Sequence, residues 1–359
     1  QRQMCIRDRL NRLQGYFQLE KYTEKQVFHE KLTQDQAQSF LCNALQEHFR
    51  QYNGWDTSRE YQIRISAKGR VLCSRKAIPN QAPRAVQSHN RKKRYLLEEG
   101  MVIQPLVDLG IFTKEGKVIH AMYDKYKQIN RFLEMVDDVS DNLPRQRPLR
   151  VIDFGCGKSY LTFILYYYLT VIKKREVQMV GLDLKADVIE KCNQTARKYG
   201  YDGLHFELGD INGYQLAGEV DLVITLHACD TATDYALFNA VSWGARVILS
   251  VPCCQHELNG QIQSEQFSIL TRYGIVKERA ASLMTDAIRA NLLECCGYKT
   301  QLLEFIDLAH TPKNILIRAV KRAPSQRAPA GVLEETESLM EEFLLHPTLY
   351  RLLKEAGRI

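Results

Sequence analysis

No apolar run in this 359-residue chain approaches the roughly 18–20 residues that a membrane-spanning helix needs. No charged-then-apolar leader opens it, so nothing points to secretion. The ten cysteines include two adjacent pairs, Cys253-Cys254 and Cys295-Cys296. Adjacent cysteines near strands build no disulfide framework for a chain of this size, which predicts a reducing, cytoplasmic setting. A zinc site from Cys229, Cys253, Cys254 and His256 is conceivable, but vicinal cysteines rarely both ligate one zinc and the pairs lack CxxC spacing, so the expectation is that no metal is bound. Acidic residues are missing altogether from residues 61–97, where ten basic ones stand. Against these absences the bulk composition is ordinary for a globular protein, with 45% hydrophobic and 25% charged residues. The length suits one large domain or two.

Two phosphate-binding motifs are incomplete at the glycine turn Val151-Ile152-Asp153-Phe154-Gly155-Cys156-Gly157-Lys158-Ser159-Tyr160-Leu161. A P-loop needs a glycine five positions before Gly157, where this chain has Ile152. A dinucleotide fingerprint wants a third glycine where Tyr160 stands. What is present is a buried strand ending in Asp153 and Phe154, a turn through Gly155, Cys156 and Gly157, and a helix from Tyr160 to Ile172. Ser159 is placed to cap that helix. Glycine lets backbone approach a ligand closely, and a helix N-terminus favours negative groups.

Strands and helices alternate from here on. Val177 to Leu182 is a strand ending at Asp183, and Ala186 to Tyr199 a helix. Leu204 to Leu208 is a strand ending near Asp210 and Ile211. Val220 to Leu226 and Arg246 to Val251 follow, and Lys299–Asp307 with Lys313–Val320 close as an antiparallel pair. That order predicts an α/β fold with a doubly wound, Rossmann-like sheet of about seven strands. Asp153, Asp183 and Asp210 each fall at a strand's carboxyl end, where ligands of such sheets sit. A carboxylate after the second strand suits ribose hydroxyls.

Ahead of the glycine turn, Thr33-Gln34-Asp35-Gln36 precedes Phe40, Leu41, Leu45 and Phe49 at helical spacing, and helical signals cover residues 10–50. Tyr61 to Lys76, turning at Ala67-Lys68-Gly69, predicts a β-hairpin. Met101 to Phe112 reads as a short helix, and His120 to Val139 as an amphipathic one. Residues 1–9 fit nothing downstream and read as a non-native leader. The expected division is therefore that leader, a basic helical and β-hairpin domain over 10–118, the α/β domain over 119–320, and a linker with a short helical tail over 321–359. Residues 1–120 sum to a charge of +9, and residues 151–320 to −3. Arg64, Lys68, Arg70, Arg75, Lys76, Arg91, Lys92, Lys93 and Arg94, interleaved with Tyr61, His89 and Tyr95, form a one-signed stretch suited to a phosphate backbone. A solvated basic face is the plainer alternative.

The segments after the fourth and fifth strands, Leu226-His227-x-Cys229-Asp230-x-Ala232-Thr233-Asp234 and Pro252-Cys253-Cys254-x-His256, resemble those of one group of class I S-adenosylmethionine (SAM) methyltransferases. That group includes eukaryotic tRNA 2′-O-ribose methyltransferases and methyltransferase-like proteins of less defined substrate. The resemblance covers roughly residues 117–320. The glycine turn is similar to motif I of that fold. The resemblance implies SAM as cofactor, with Asp153, Gly155, Cys156, Gly157, Lys158, Ser159, Asp183 and Leu226 lining it. Asp210 and Ile211 would meet the adenine, and Lys125 or Gln128 the cofactor's carboxylate. Asp230 stands where the tRNA enzymes have glycine, and their cysteine/histidine zinc module is missing.

For the acceptor end, the chain lacks the Asn/Asp-Pro-Pro-aromatic motif of base amino methylation. His227 is a candidate base, with Asp230 or Asp234 as its partner, and His256 a second candidate. Cysteine attack on a pyrimidine ring, through Cys229 or Cys253, is a further alternative. The expected activity is methylation of RNA, tRNA or rRNA. The alternatives are a small-molecule or protein methyltransferase, or a SAM-binding RNA-associated protein without turnover. Oligomeric state is left open by the sequence.

Overall fold

A computed structural model divides the chain into two compact units, Gln1–Arg94 and Tyr95–Ile359. The structure describes residues 7–359 apart from 14, 24–25, 57, 67, 78–94, 158, 215–217, 227, 306–313, 324 and 327–328.

The first unit holds two three-stranded antiparallel sheets and a helix. Strands β1 (Arg7–Leu13), β2 (Tyr16–Tyr22) and β3 (Val27–Leu32) pair in sequence order, ahead of α1 (Gln34–Glu47). Helix was expected across 10–50, but it forms only from Gln34. Before it, Tyr16-Phe17-Gln18-Leu19-Glu20-Lys21-Tyr22 is rich in aromatics, and such residues pack well on a pleated surface. Leu19, at the centre of β2, is fully buried. Arg7, Asp8 and Arg9, expected to lie outside the fold, pair with Tyr22, Lys21 and Glu20. The start of α1 is fixed by a capping box: Gln36 N donates to Thr33 Oγ1 at 3.3 Å, and Thr33 N donates to Gln36 Oε1 at 2.9 Å. The expected hairpin is β5 (Arg59–Ile65) against β6 (Val71–Ala77), with β4 (Gln51–Trp55) added on the other side of β5.

In the second unit the core starts earlier than the predicted boundary at 118. Leu97, Ile103, Leu106, Ile111 and Phe112 are buried in one cluster with Tyr126, Ile129 and Phe132. Helix α2 (Gln104–Asp108) lies in this stretch, and α3 (Tyr123–Asp138) follows. Leu97 N donates to Asn130 Oδ1 at 2.9 Å, and Tyr126 Oη donates to Leu97 O at 2.6 Å. Burying those polar groups without partners would be costly, so residues 95–118 fold with α3 rather than with the basic unit.

Then come β7 (Leu149–Phe154), α4 (Tyr160–Tyr167), β8 (Val177–Asp183), α5 (Ala186–Tyr199), β9 (Leu204–Leu208), β10 (Leu222–Thr225), α6 (Thr231–Ser242) and β11 (Val247–Ser250). Helices α7 (His256–Gln261), α8 (Ser268–Thr271) and α9 (Gly274–Cys295) precede β12 (Tyr298–Glu304) and β13 (Ile315–Lys321). The seven strands form one sheet in the order β12-β13-β11-β10-β7-β8-β9. The five from β7 to β11 run parallel, and β13 is antiparallel to both its neighbours. This is the doubly wound sheet that the alternating pattern predicts. Its chain order reverses between β7 and β10, the switch point at which such sheets open a crevice. Gly181 permits the close packing beside it: a Cβ there would lie 2.5 Å from the Phe206 ring and 3.3 Å from Cys156 Sγ.

Helices α10 (Val332–Glu342) and α11 (Thr348–Glu355) are not an appended tail. Met340, Phe343, Leu345, Leu349 and Leu353 are buried with Ile152, Val223, Ile248 and Leu292 in the second core cluster. Thr348 donates through N and Oγ1 to the Glu257 carboxylate, at 3.1 and 2.6 Å. Leu349→Ala should therefore cost about 2–5 kcal/mol in chemical denaturation, as expected for a core leucine. A loss under about 0.5 kcal/mol, typical of surface positions, would return these helices to the status of a tail.

Candidate active site

Strand β7 carries Asp153 to the carboxyl edge of the sheet and the chain turns at once. Gly155 and Gly157 take φ of +65° and +52°. A Cβ at Gly157 would meet nothing nearer than 3.9 Å, so the backbone conformation, not crowding, calls for glycine there. Asp153 is buried and accepts a 2.5 Å hydrogen bond from Thr162 Oγ1 on α4. Burial pushes its carboxyl up to about 7, with the Thr162 hydroxyl pulling the other way.

The end of β8 is stitched to this turn. Gly157 N donates to Asp183 Oδ2 at 2.9 Å, and Lys185 N donates to Asp183 Oδ1 at 3.1 Å. A carboxylate oxygen accepts more than one bond, so Asp183 keeps capacity for a ligand's hydroxyls. Cys156 N donates to Leu182 O at 3.1 Å, and burial pushes the Cys156 thiol up. Ser159 does not cap α4 as expected. It sits at φ +55°, and its Oγ donates to Gly157 O at 3.1 Å and accepts from Cys192 Sγ at 3.3 Å. A left-handed Ser159 is turned away from the extended backbone that an N-cap needs, so its hydroxyl closes the glycine turn instead.

Beyond β9, Asp210 is exposed and its Oδ1 accepts from Asn212 N at 2.9 Å. Ile211 is half-buried, its carbonyl held by Asn239 Nδ2 at 2.6 Å. On α3, Gln128 is half-buried, and Lys125 Nζ stands 4.4 Å from the centre of the Tyr160 ring, which opens α4. Leu226, just past β10, is buried. The fold thus brings Asp153, the glycine turn, Asp183 and Asp210 to adjacent strand ends. Lys158 and His227 lie outside the described residues, as do Arg91, Lys92, Lys93 and Arg94.

The loops after β10 and β11 are braced from below by α9. Arg289 is 2% exposed and forks onto Asp234, with Nε to Oδ1 at 2.9 Å and Nη2 to Oδ2 at 2.8 Å. Its Nη2 also donates to Asp230 O at 2.9 Å and its Nη1 to Asp286 Oδ1 at 3.3 Å. Gln255 Nε2 reaches Asp286 Oδ2 at 3.3 Å. Burial pushes the Asp286 carboxyl up to about 6, although Arg289 pulls it down. Asp234, a candidate partner for a catalytic histidine, is therefore engaged by Arg289. Asp230 holds φ +56° and ψ −125°, backbone that glycine adopts readily, and its Oδ1 accepts from Glu257 N at 3.0 Å. Arg289 and Asp286 were not singled out from the sequence. Their signal was there: two opposite charges three apart, among Ile288, Leu292 and Leu293 on the apolar side of α9.

Two hydroxyls are left over at the same strand ends. Thr225 and Ser250 are register partners on β10 and β11, and both Oγ atoms are buried with no partner among the described residues. Orphaned buried hydroxyls side by side mark a place for a ligand or water. His256, the first residue of α7, is exposed. Cys229 and Cys253 bring their sulfurs to 3.0 Å, and Cys253 and Cys254 to 3.7 Å. Burial and the two neighbouring thiols push Cys253 up to about 12, so it stays protonated at neutral pH and is a poor nucleophile for a pyrimidine ring. Two cavities lie elsewhere. One of about 490 Å³ is walled by residues of α4 and α5, including Phe163, Val188 and Tyr199, and one of about 380 Å³ lies in the first unit. Neither is lined by any predicted site residue.

Of the predicted RNA-binding residues, Arg64, Lys68, Arg70, Arg75 and Lys76 are exposed. The β5–β6 register pairs Arg64 with Leu72, Tyr61 with Arg75 and Glu60 with Lys76. Side chains alternate along a strand, so Arg64 and Lys76 share one face while Arg75 lies on the other. No described helix is long and apolar enough to cross a membrane.

Residues 124–261 match the family model described as a methyltransferase domain. No curated protein matches the chain. Among solved structures, the CMeT domain of the citrinin polyketide synthase is 15% identical, with a TM-score of 0.37, covering 55% of this chain and 54% of that one. This chain thus spans about half the length of that structure. The 23S rRNA methyltransferase ErmE is 12% identical with a TM-score of 0.34, covering 57% of this chain and 74% of that one. PKMT2 from Rickettsia typhi, in complex with AdoHcy, is 18% identical with a TM-score of 0.26, covering 30% of this chain and 21% of that one. At these scores none of the three likenesses carries an argument about substrate.

The buried Asp153 makes stability depend on pH in a defined direction. Its folded value near 7 lies above the ordinary 3.8, so between about pH 4 and 7 the folded chain binds more protons than the unfolded chain. Stability then falls as pH rises through that window. Asp153→Asn removes this contribution. The melting temperature of the variant relative to wild type should rise between pH 5 and pH 8, whereas a pH-independent difference would show that Asp153 is ionised throughout.

Proposed function

We propose that this chain transfers a methyl group from S-adenosyl-L-methionine to RNA, tRNA or rRNA. The observation that carries the methyltransferase reading is the set of carboxylates on adjacent strand ends around the glycine turn, within a stretch matching a methyltransferase domain. Gly155 and Gly157 let the cofactor lie across the strand ends. Asp183, already fixed by two backbone N–H groups, accepts from the ribose hydroxyls. Asp210 takes the adenine amino group and Ile211 packs on the ring, while Gln128 and Lys125 on α3 meet the cofactor's carboxylate. Bound SAM supplies an electrophilic methyl. The chain's own part is to aim the acceptor in line and accept a proton where one must leave. His227 and His256 are the candidates for that proton. Asp230 and Asp234 act as positioning residues, holding the loop that bears His227 through Arg289 and the Glu257 amide.

The RNA reading rests on residues 61–97, where ten cations stand with no acidic residue among them. A one-signed stretch of this kind attracts phosphates whatever the sequence of the nucleic acid. Nucleoside mass spectrometry on RNA from a deletion strain would identify both the acceptor and the modified atom.

Asp183→Ala should weaken SAM binding in calorimetry, since it removes the acceptor for the ribose. Absence of SAM binding by the wild type would sink the whole reading, and unaltered binding by the variant only the role of Asp183.

The RNA reading has its own test. Replacing Arg91, Lys92, Lys93 and Arg94 with alanine should flatten the slope of log K against log salt by about two to three units, because each neutralised phosphate contributes about 0.7–0.9 and not all four cations sit on a phosphate. SAM affinity should be unchanged. An unaltered salt slope would remove the argument for RNA and leave a small-molecule or protein acceptor.

A further inference from the structure

Three thiols converge where the loops after β10 and β11 meet. The sulfurs of Cys229, Cys253 and Cys254 all lie within 4.8 Å of one another, although Cys229 is more than twenty residues from the other two. We propose that Cys229, Cys253 and Cys254 form a three-sulfur site for a thiophilic metal ion, zinc foremost. The inference goes beyond methyl transfer and does not depend on it.

The distances suit the ion. With zinc–sulfur bonds of about 2.3 Å, neighbouring sulfurs of a tetrahedral site stand about 3.8 Å apart. The Cys253–Cys254 separation of 3.7 Å already matches. The Cys229–Cys253 pair, at 3.0 Å, has to open by less than 1 Å. Sequence spacing argues against a metal because adjacent cysteines seldom share one ion. Here the neighbouring side chains point to a common centre, and the third sulfur comes from another strand end.

The ligands sit on braced backbone. Ala232 N donates to Cys229 O at 3.1 Å, and the next residue, Asp230, is held by Arg289 and the Glu257 amide. On the other side Val251 N donates to Thr225 O at 2.8 Å, and Gln255 is tied to Asp286. A site built on such supports is preorganised. Three thiolates select soft or borderline ions such as Zn²⁺ and Cu⁺ over Mg²⁺ or Ca²⁺. Cys229 is exposed, which gives the ion a path in. Binding requires thiolates, so each thiol that ligates releases its proton to the buffer. No electron is transferred.

The test uses the full chain, reduced and stripped with a chelator, and Co²⁺ as the probe. One equivalent should produce the sulfur-to-cobalt charge-transfer band and the visible bands of a tetrahedral thiolate site, and one equivalent of Zn²⁺ should displace it. Cys253→Ser should weaken binding by at least about 100-fold, more than loss of an outer partner of a ligand typically does. Cys229→Ser, at an exposed position, gives the same readout should Cys253→Ser fail to fold. Cys42→Ser and Cys73→Ser, both exposed elsewhere, should bind cobalt as the wild type does. Absence of the charge-transfer band in the reduced wild type would overturn the site. So would unweakened cobalt binding by a folded Cys229→Ser or Cys253→Ser variant, or a Cys229–Cys253 disulfide that yields no metal-binding species on reduction.

Discussion

The functional half of this molecule depends on one buried cation. Arg289 is enclosed by protein, and burying a guanidinium is tolerable only when its donors are filled. Asp234 takes it in a fork, Asp286 takes another nitrogen, and the Asp230 carbonyl a third contact. Burial raises the Asp286 carboxyl, Arg289 opposes that rise, and the neighbouring Asp234 charge adds a little to it. Removing one partner of such a cluster costs about 3–5 kcal/mol, because the others stay buried and uncompensated. What this arrangement secures is position. The loops that follow β10 and β11 lie beside this cluster. Through Arg289 and Gln255 they are fixed to a 22-residue helix.

That arrangement also accounts for what the sequence could and could not reveal. The strands from Val151 to Val251 were legible because buried parallel strands read as short β-branched runs between turns, and β7, β8 and β9 fall where those runs lie. Asp153 and Asp183 could be read as site residues because each ends such a run. The three strands before Gln34 were missed because Leu10 and Leu13 lie in β1 yet also fit a helical period, and only pairing across β1–β2–β3 decides between the two. Ser159 has the identity of a helix cap, and only its positive φ shows that its hydroxyl is used elsewhere. The partners of Asp234 lie more than fifty residues away, beyond the reach of spacing arguments. The convergence of Cys229 on Cys253 and Cys254 is likewise a product of strand order, since β10 and β11 are neighbours in the sheet.

Asp230 holds backbone strain next to the Arg289 cluster. Its conformation, at φ +56° and ψ −125°, costs a non-glycine residue of order 1–3 kcal/mol. The side chain recovers part of that by accepting from the Glu257 amide at the start of α7. Strain and compensation meet at the strand ends where the Thr225 and Ser250 hydroxyls have no partner among the described residues. Polar capacity is thus concentrated at the ends of β10 and β11, while the body of the sheet between its helices is apolar.

The burial of α11 has a bearing on how the polypeptide is made. Leu349 and Leu353 complete an apolar layer whose other members include Ile152 and Val223, residues translated far earlier. A ribosome that has finished β13 has therefore produced every strand of the sheet, with α6 and α9 beside it, but not the helix that packs on α6 and α9. Until α11 emerges from the exit tunnel, the apolar sides of α6 and α9 that meet it are exposed to other nascent chains. The interval is one in which a chaperone that binds apolar surface would find its target, and in which a chain cut short before α11 would be prone to aggregate.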